Sequence, residues 1–302
     1  MNLCDINTVK RLMSKHGTGT KKGFGQNFLI NEEVPYNIAR ESYDYHRATN
    51  KGSKNNAVIE IGPGIGSLTY ELCQLYDKVI AVEIDKSLIP ILDETLAEFD
   101  NVNVINEDFL KLDLDEFLEK NLGECTISVC ANLPYYITTP IIMALLENAR
   151  KANGASKFTS ITVMVQKEVA LRLCADSKSS DYGAITASIN YYGVPKKLFD
   201  VTPDNFLPAP KVTSSVVRIE LYDEPKYKVQ NEKMLNRVIA GAFAQRRKTL
   251  LNSLSSSFGE ISKDKIAEII TRLGYDINIR GERLSIEDFC NLADEFTKEI
   301  KG

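Results

Sequence analysis

The stretch that decides the fold is Ala57-Val58-Ile59-Glu60-Ile61-Gly62-Pro63-Gly64-Ile65-Gly66-Ser67. A short apolar run ends in closely spaced glycines, and a helical pattern over 67–76 follows. Outward from it the same alternation repeats. Apolar strands are predicted over 57–61, 78–84, 102–106, 126–131 and 160–165, with helices over 31–45, 67–76, 88–99 and 140–151. Continuous apolar strands separated by amphipathic helices predict parallel strands covered on both faces, a doubly wound, Rossmann-like α/β sheet. The run 213–221 (TSSVVRIEL) arrives without a long helix before it and reads as an antiparallel edge. Residues 223–228 hold a proline and charges and mark a boundary. The expected division is therefore a Rossmann-like α/β domain over 1–224 and a small all-helical domain over 225–302. That second domain is expected to carry helices over 232–244, 246–255, 263–273 and 286–298, the last capped by Ser285. Before the sheet come a basic arm and, at 47–56, a polar stretch that reads as a loop.

The 302 residues are 43% hydrophobic and 26% charged, which excludes a disordered or fibrous chain. No run of about eighteen apolar residues is present and residues 1–25 lack the core of a signal peptide, so a reduced, cytoplasmic chain away from membranes is expected. Six cysteines form no Cys-x-x-Cys pair, and only His16 and His46 could join them, so no metal site is expected. The net charge of −4 conceals a division. Residues 1–25 carry +4, residues 196–248 carry +5, and the remainder carries −13. A segregated basic surface on an acidic chain can contact phosphate, although solvated faces explain the same counts. The strongest basic features are Lys21 and Lys22 in the arm and Arg246, Arg247 and Lys248 on the predicted 246–255 helix. The last three point around most of its circumference, and the expectation is that they contact phosphate.

Glycines at 62, 64 and 66 let the backbone approach a ligand at the carboxyl edge of the sheet. A dinucleotide fold wants G-x-G-x-x-G, but the residue at that third place is Ser67; the tighter spacing is typical of S-adenosylmethionine (SAM) sites. Glu83 closes the second strand, where a carboxylate can accept both hydroxyls of a ribose. Asp85 nearby fits better as a helix cap. Asp108 after the third strand is placed for an adenine amino group, with Phe109 beside the ring. Asn132-Leu133-Pro134-Tyr135 closes the fourth strand. Its proline makes a rigid turn that holds an amide and an aromatic face. Methyl transfer to an exocyclic aromatic amine needs such parts, because the amine lone pair is delocalised into its ring. The Asn132 side-chain oxygen and the Leu133 carbonyl can accept the two amine N–H groups, and Tyr135 can stack on the base.

These motifs, in this order, resemble the ribosomal RNA adenine-N6 dimethyltransferases, most closely the branch acting on small-subunit RNA. The matching pieces are Lys22-Gly-Phe-Gly-Gln-Asn27-Phe-Leu29, the glycine turn, Val82-Glu83-Ile84-Asp85, Glu107-Asp108, Asn132-Leu-Pro-Tyr135, Phe206-Leu-Pro-Ala-Pro-Lys-Val212 and Ala244-Gln-Arg-Arg-Lys-Thr-Leu-Leu-Asn-Ser253, spanning about residues 20–295. The resemblance implies SAM as cofactor, contacted by Asn27, Leu29, Gly62, Glu83, Asp108 and Asn132, with Gly64 in the same turn. It implies two methyl transfers to each of two adjacent adenosines near the 3′ end of small-subunit rRNA, with Phe206 closing on the base opposite Tyr135. The expected partner is that rRNA in a pre-ribosomal particle, met by a monomer. Three other readings share parts of this pattern. A large-subunit methyltransferase of the macrolide-resistance type is usually strongly basic and lacks the Gln245-Arg-Arg-Lys248 tail. A non-catalytic assembly or transcription factor would have little need of an intact Asn132–Tyr135 motif. A nicotinamide dehydrogenase is opposed by Ser67.

Overall fold

The computed structural model describes residues 1–19, 26–50, 55–177, 179–245 and 247–301, without the side chain of Lys301. Lys21, Lys22 and Arg246 lie outside the described residues, as does the middle of the polar 47–56 stretch. Two compact units divide the chain. One comprises Met1–Ala170 and Pro195–Asp223, the other Leu171–Val194 and Glu224–Gly302. The helical unit takes in the segment 171–194 as well as the residues after Asp223.

In chain order the elements of the first unit begin with α1 (Ile6–Lys15), β1 (Phe28–Leu29), α2 (Glu33–Thr49), β2 (Asn56–Ile61), α3 (Ser67–Cys73) and β3 (Lys78–Val82). Then come α4 (Ile89–Thr95), β4 (Val102–Ile105), α5 (Leu114–Leu122), β5 (Thr126–Asn132), α6 (Thr138–Glu147), β6 (Phe158–Gln166) and α7 (Lys167–Leu173). After α8 (Ala184–Tyr192) follow β7 (Gly193–Val201), β8 (Phe206–Leu207) and β9 (Ser214–Leu221). The main sheet has the order β4-β3-β2-β5-β6-β9-β7. β2 pairs in parallel with both β3 and β5, β3 with β4, and β5 with β6, while β9 runs antiparallel to β6. The doubly wound sheet expected from the sequence is present. Strand order reverses between β2 and β5, which is where such sheets open a ligand crevice at their carboxyl ends.

Two expectations change. β9 is antiparallel as predicted but does not form the edge; β7 does, outside it. Pro195, Lys196 and Lys197 disguise β7 as a loop in the sequence, and an edge position is where a strand tolerates proline and lysine. The basic arm contains a helix, α1, capped by Asp5, whose side chain accepts the Thr8 N–H at 2.8 Å. Val9, Leu12 and Met13 fall on one face of α1 and pack with Phe28, Ile65, Leu88 and Ile91. Lys15 and His16 of the arm both reach Glu94, at 2.8 and 2.7 Å.

The second unit adds α9 (Glu232–Phe243), α10 (Leu250–Ser257), α11 (Lys263–Arg272) and α12 (Ile286–Lys301). α8 belongs with them because it buries Ile185, Tyr191 and Tyr192, and the Tyr191 hydroxyl donates to Glu232 of α9 at 2.9 Å. Asp288 and Ser285 form reciprocal cap bonds at the start of α12, as the sequence predicts. The helix predicted over 246–255 instead begins at Leu250. Thr249 is its N-cap in extended conformation, with its hydroxyl accepting the Asn252 N–H, so the helix cannot run back through the basic residues.

Candidate active site

A cavity of about 320 Å³ opens at the carboxyl ends of β2, β3 and β5, a volume suited to a nucleoside-sized ligand. β2 delivers the chain into the glycine turn. Gly62, Gly64 and Gly66 adopt φ of 71°, 63° and 92°, the left-handed region that only glycine enters cheaply. Gly66 is also crowded, since a Cβ there would stand 3.1 Å from the Thr95 hydroxyl and 3.3 Å from a Leu92 methyl.

The turn is tied to the second strand end. The Gly62 N–H donates to the Val82 carbonyl at 2.9 Å, and the Gly64 N–H donates to Glu83 Oε2 at 3.2 Å. The other Glu83 oxygen accepts the Asp85 N–H at 2.8 Å. Glu83 is buried, and burial raises its carboxyl above the usual range despite the two backbone donors. Asp85 acts as the predicted cap, accepting from Ser87, and also holds the Gln26 side chain at 3.0 Å. Asp108 lines the cavity while one of its oxygens caps the following turn through the Leu110 N–H at 3.1 Å.

Asn132 ends β5, paired with Met164 of β6. The chain then turns through Leu133 and Pro134, whose carbonyl accepts the Ile137 N–H and the Thr138 hydroxyl and so leads directly into α6. The Tyr135 hydroxyl bonds to the Ser214 hydroxyl at 2.7 Å, anchoring the ring to the start of β9. β1 and β8 form a separate two-stranded ribbon with Leu29 opposite Phe206. Thus Asn27, Leu29, Gly62, Gly64, Glu83, Asp108, Asn132, Leu133, Pro134, Tyr135 and Phe206 all line one cavity. Phe206 is nevertheless only 3% exposed and packs in the core with Leu29 and Ile38, so little of its ring faces the opening.

Of the sequence-predicted phosphate contacts only Arg247 and Lys248 are among the described residues, and neither lines this cavity. Arg247 and Lys248 belong to the second unit, where they are exposed in the turn before α10 and not on a helix. Lys248 borders a small notch with Arg280, Ser180 and Tyr182. Sequence reasoning missed several cavity residues, namely Gln26, Glu60, Ile84, Leu110 and Tyr136. Gln26, Glu60 and Ile84 lie within stretches that it quoted and Leu110 and Tyr136 adjoin others, but only the folded chain shows that they face inward. Among the described lining residues stand four carboxylates, Glu60, Glu83, Glu107 and Asp108, and no lysine, arginine or histidine. Such a lining, rich in acceptors and without a basic side chain among the described residues, fits SAM, which carries an ammonium, a sulfonium and two ribose hydroxyls.

The fold and the site define a SAM-dependent methyltransferase of the Rossmann-like class. Residues 17–298 match the family model described as ribosomal RNA adenine dimethylase, and the chain belongs to that family. It is 43% identical over 292 residues, 97% of each chain, to the ribosomal RNA small subunit methyltransferase A of Alkaliphilus oremlandii. The protein of the same description from Lachnoclostridium phytofermentans is 46% identical over 284 residues, 93% of each chain. Among solved structures, a dimethyladenosine transferase from Plasmodium falciparum superposes with a TM-score of 0.68 at 23% identity, over 90% of this chain and 98% of that one. This last likeness speaks to the fold alone. No helix among the described residues is long and apolar enough to cross a membrane.

Proposed function

We propose that this protein dimethylates N6 of two adjacent adenosines near the 3′ end of small-subunit rRNA. It acts as a cytoplasmic monomer on a pre-ribosomal particle. The observation that carries the reading is the Asn132–Tyr135 turn on the wall of the cavity that Glu83 and Asp108 also line. The relatives described as small subunit methyltransferases support the choice of RNA.

In this reading Glu83 accepts the ribose hydroxyls, Asp108 accepts from the adenine amino group of the cofactor, and Asn27, Leu29 and the glycine turn hold the remainder. When bound, SAM supplies a methyl group already activated on a sulfonium, so no strong base is required. Asn132 and the Leu133 carbonyl accept the two N–H groups of the target amine and favour the tetrahedral geometry that frees its lone pair. Tyr135 offers its face to the unstacked base, a stacking worth ~1–3 kcal/mol that offsets part of the cost of extrusion. The Ser214 bond holds the hydroxyl end of the ring in place in advance. Phe206 acts mainly by supporting Leu29. Arg247 and Lys248, with Lys21, Lys22 and Arg246, contact RNA phosphates.

The test is methyl transfer from labelled SAM to unmethylated small and large ribosomal subunits. Small subunits should accept label as dimethyladenosine, and Asn132→Ala should lower the rate by roughly 10²–10³. Label in large subunits alone would refute the reading.

A further inference from the structure

The most exposed large apolar side chain among the described residues is Tyr136, 58% open to solvent at the wall of the cavity. The Pro134 carbonyl accepts the Ile137 N–H at 3.1 Å, so Tyr135 and Tyr136 take the two middle places of a tight turn between β5 and α6. The two rings fare differently. Tyr135 is half-buried, with its hydroxyl bonded to Ser214. No hydrogen bond or ring contact ties the Tyr136 side chain among the described residues. Two other exposed apolar residues line the cavity, Ile84 and Leu110. They accompany Glu83 and Asp108, at the strand ends read above as the cofactor's. Tyr136 instead continues the Asn132–Tyr135 turn, which serves the target base. A bare aromatic face beside a nucleobase site is the means by which single-stranded nucleic acid is held.

We propose that Tyr136 is a second base platform, on which one adenosine stacks while its neighbour is methylated in the cavity. The inference rests on the reading of two adjacent adenosines as the substrate. Drawing one adenosine from its stack also uncovers a face of the other, so extrusion exposes two bases, and Tyr135 covers only one. Two neighbouring rings on one turn match two neighbouring bases on one strand. Stacking is indifferent to the state of the amine, since every base presents a π-face. A dimethylated adenosine can therefore take the platform when the second adenosine enters the cavity, and one ring serves both halves of the reaction. That exchange explains why the ring stands open to solvent, where an aromatic side chain gains nothing from burial in the free protein.

Tyr136→Ala and Tyr136→Phe, each in the full chain, are compared with wild type in methyl transfer from labelled SAM to unmethylated small subunits. Loss of one base–aromatic stack should lower kcat/KM for Tyr136→Ala roughly 5- to 150-fold. Tyr136→Phe keeps the ring and should stay within about threefold of wild type. SAM affinity, read by calorimetry, should be unchanged in both. Subunits rebuilt with one of the two adenosines abasic identify what the platform holds. There the remaining adenosine has no neighbour to stack, and Tyr136→Ala should methylate it as fast as wild type does. Equal kcat/KM for Tyr136→Ala and wild type on intact subunits overturns the proposal. So does a Tyr136→Phe as slow as Tyr136→Ala, which would give the role to the hydroxyl. A fall in SAM affinity that matches the fall in rate hands the ring to the cofactor and overturns it too, as does a penalty that persists on abasic subunits. Wild-type protein that leaves intact small subunits unlabelled would instead overturn the proposed function.

Discussion

Glu83→Gln isolates what a carboxylate does at the end of β3. In the native protein its two oxygens accept the Asp85 N–H at 2.8 Å and the Gly64 N–H at 3.2 Å. An amide has one acceptor oxygen. It will keep the shorter bond to Asp85 and turn its NH₂ toward the Gly64 N–H, placing donor against donor. The lost bond to a charged acceptor is worth ~1.5–3 kcal/mol. Part of that returns because the amide no longer buries a charge, whose cost is visible in the raised Glu83 carboxyl. The net loss of stability should be about 1–2 kcal/mol. Cofactor binding suffers separately. Replacing charge-assisted acceptance of the ribose hydroxyls by neutral acceptance costs ~1–3 kcal/mol, or roughly 5- to 150-fold in affinity. Calorimetry gives the affinity, urea unfolding the stability, and hydrogen exchange the fate of the Gly64 amide, which should lose protection. SAM affinity within twofold of wild type, with Gly64 still protected, would refute the assignment of Glu83 to both tasks.

Three further outcomes follow from the same physics. Gly66→Ala forces a Cβ into φ 92° and within 3.1 Å of the Thr95 hydroxyl, so it should destabilise by at least ~1–3 kcal/mol, read as a lower urea midpoint. His46 is fully buried, its Nδ1 within 2.8 Å of the Thr159 hydroxyl, and burial lowers its ring to about 4. The unfolded chain thus binds a proton between pH 6.5 and 4 that the folded chain refuses, and stability falls with pH across that window by up to about 3 kcal/mol. Comparison with His46→Gln, whose stability should fall less steeply there, checks it. Arg247→Ala combined with Lys248→Ala should flatten the salt dependence of rRNA binding by about 0.7–0.9 per contact in log–log slope and leave SAM affinity unchanged. Unaltered binding at every salt concentration would remove the pair from the RNA contact.

The parts of this protein legible in its sequence are those set by local rules. Alternating apolar strands and amphipathic helices determine a parallel sheet, because only strands covered on both faces are apolar throughout. Glycines at 62, 64 and 66 announce a turn that side chains would strain, and Pro134 announces the rigid turn after β5. Since a doubly wound sheet gathers its strand ends along one edge, these motifs had to converge. Other features depend on residues far apart in the chain, and only the tertiary structure decided them. Leu29 meets Phe206 through a two-residue ribbon too short to leave a periodic signal, and that pairing buries most of the Phe206 ring. The segment 171–194 joins the helical unit because its apolar face packs on α9 and α12, whatever its place in the chain. The edge strand β7 looks like a loop because lysine and proline are tolerated where one side of a strand has no neighbour. Glu60 reads as one more residue of a strand until β3, β5 and α3 enclose it. Its burial is a property of that enclosure and not of the residue.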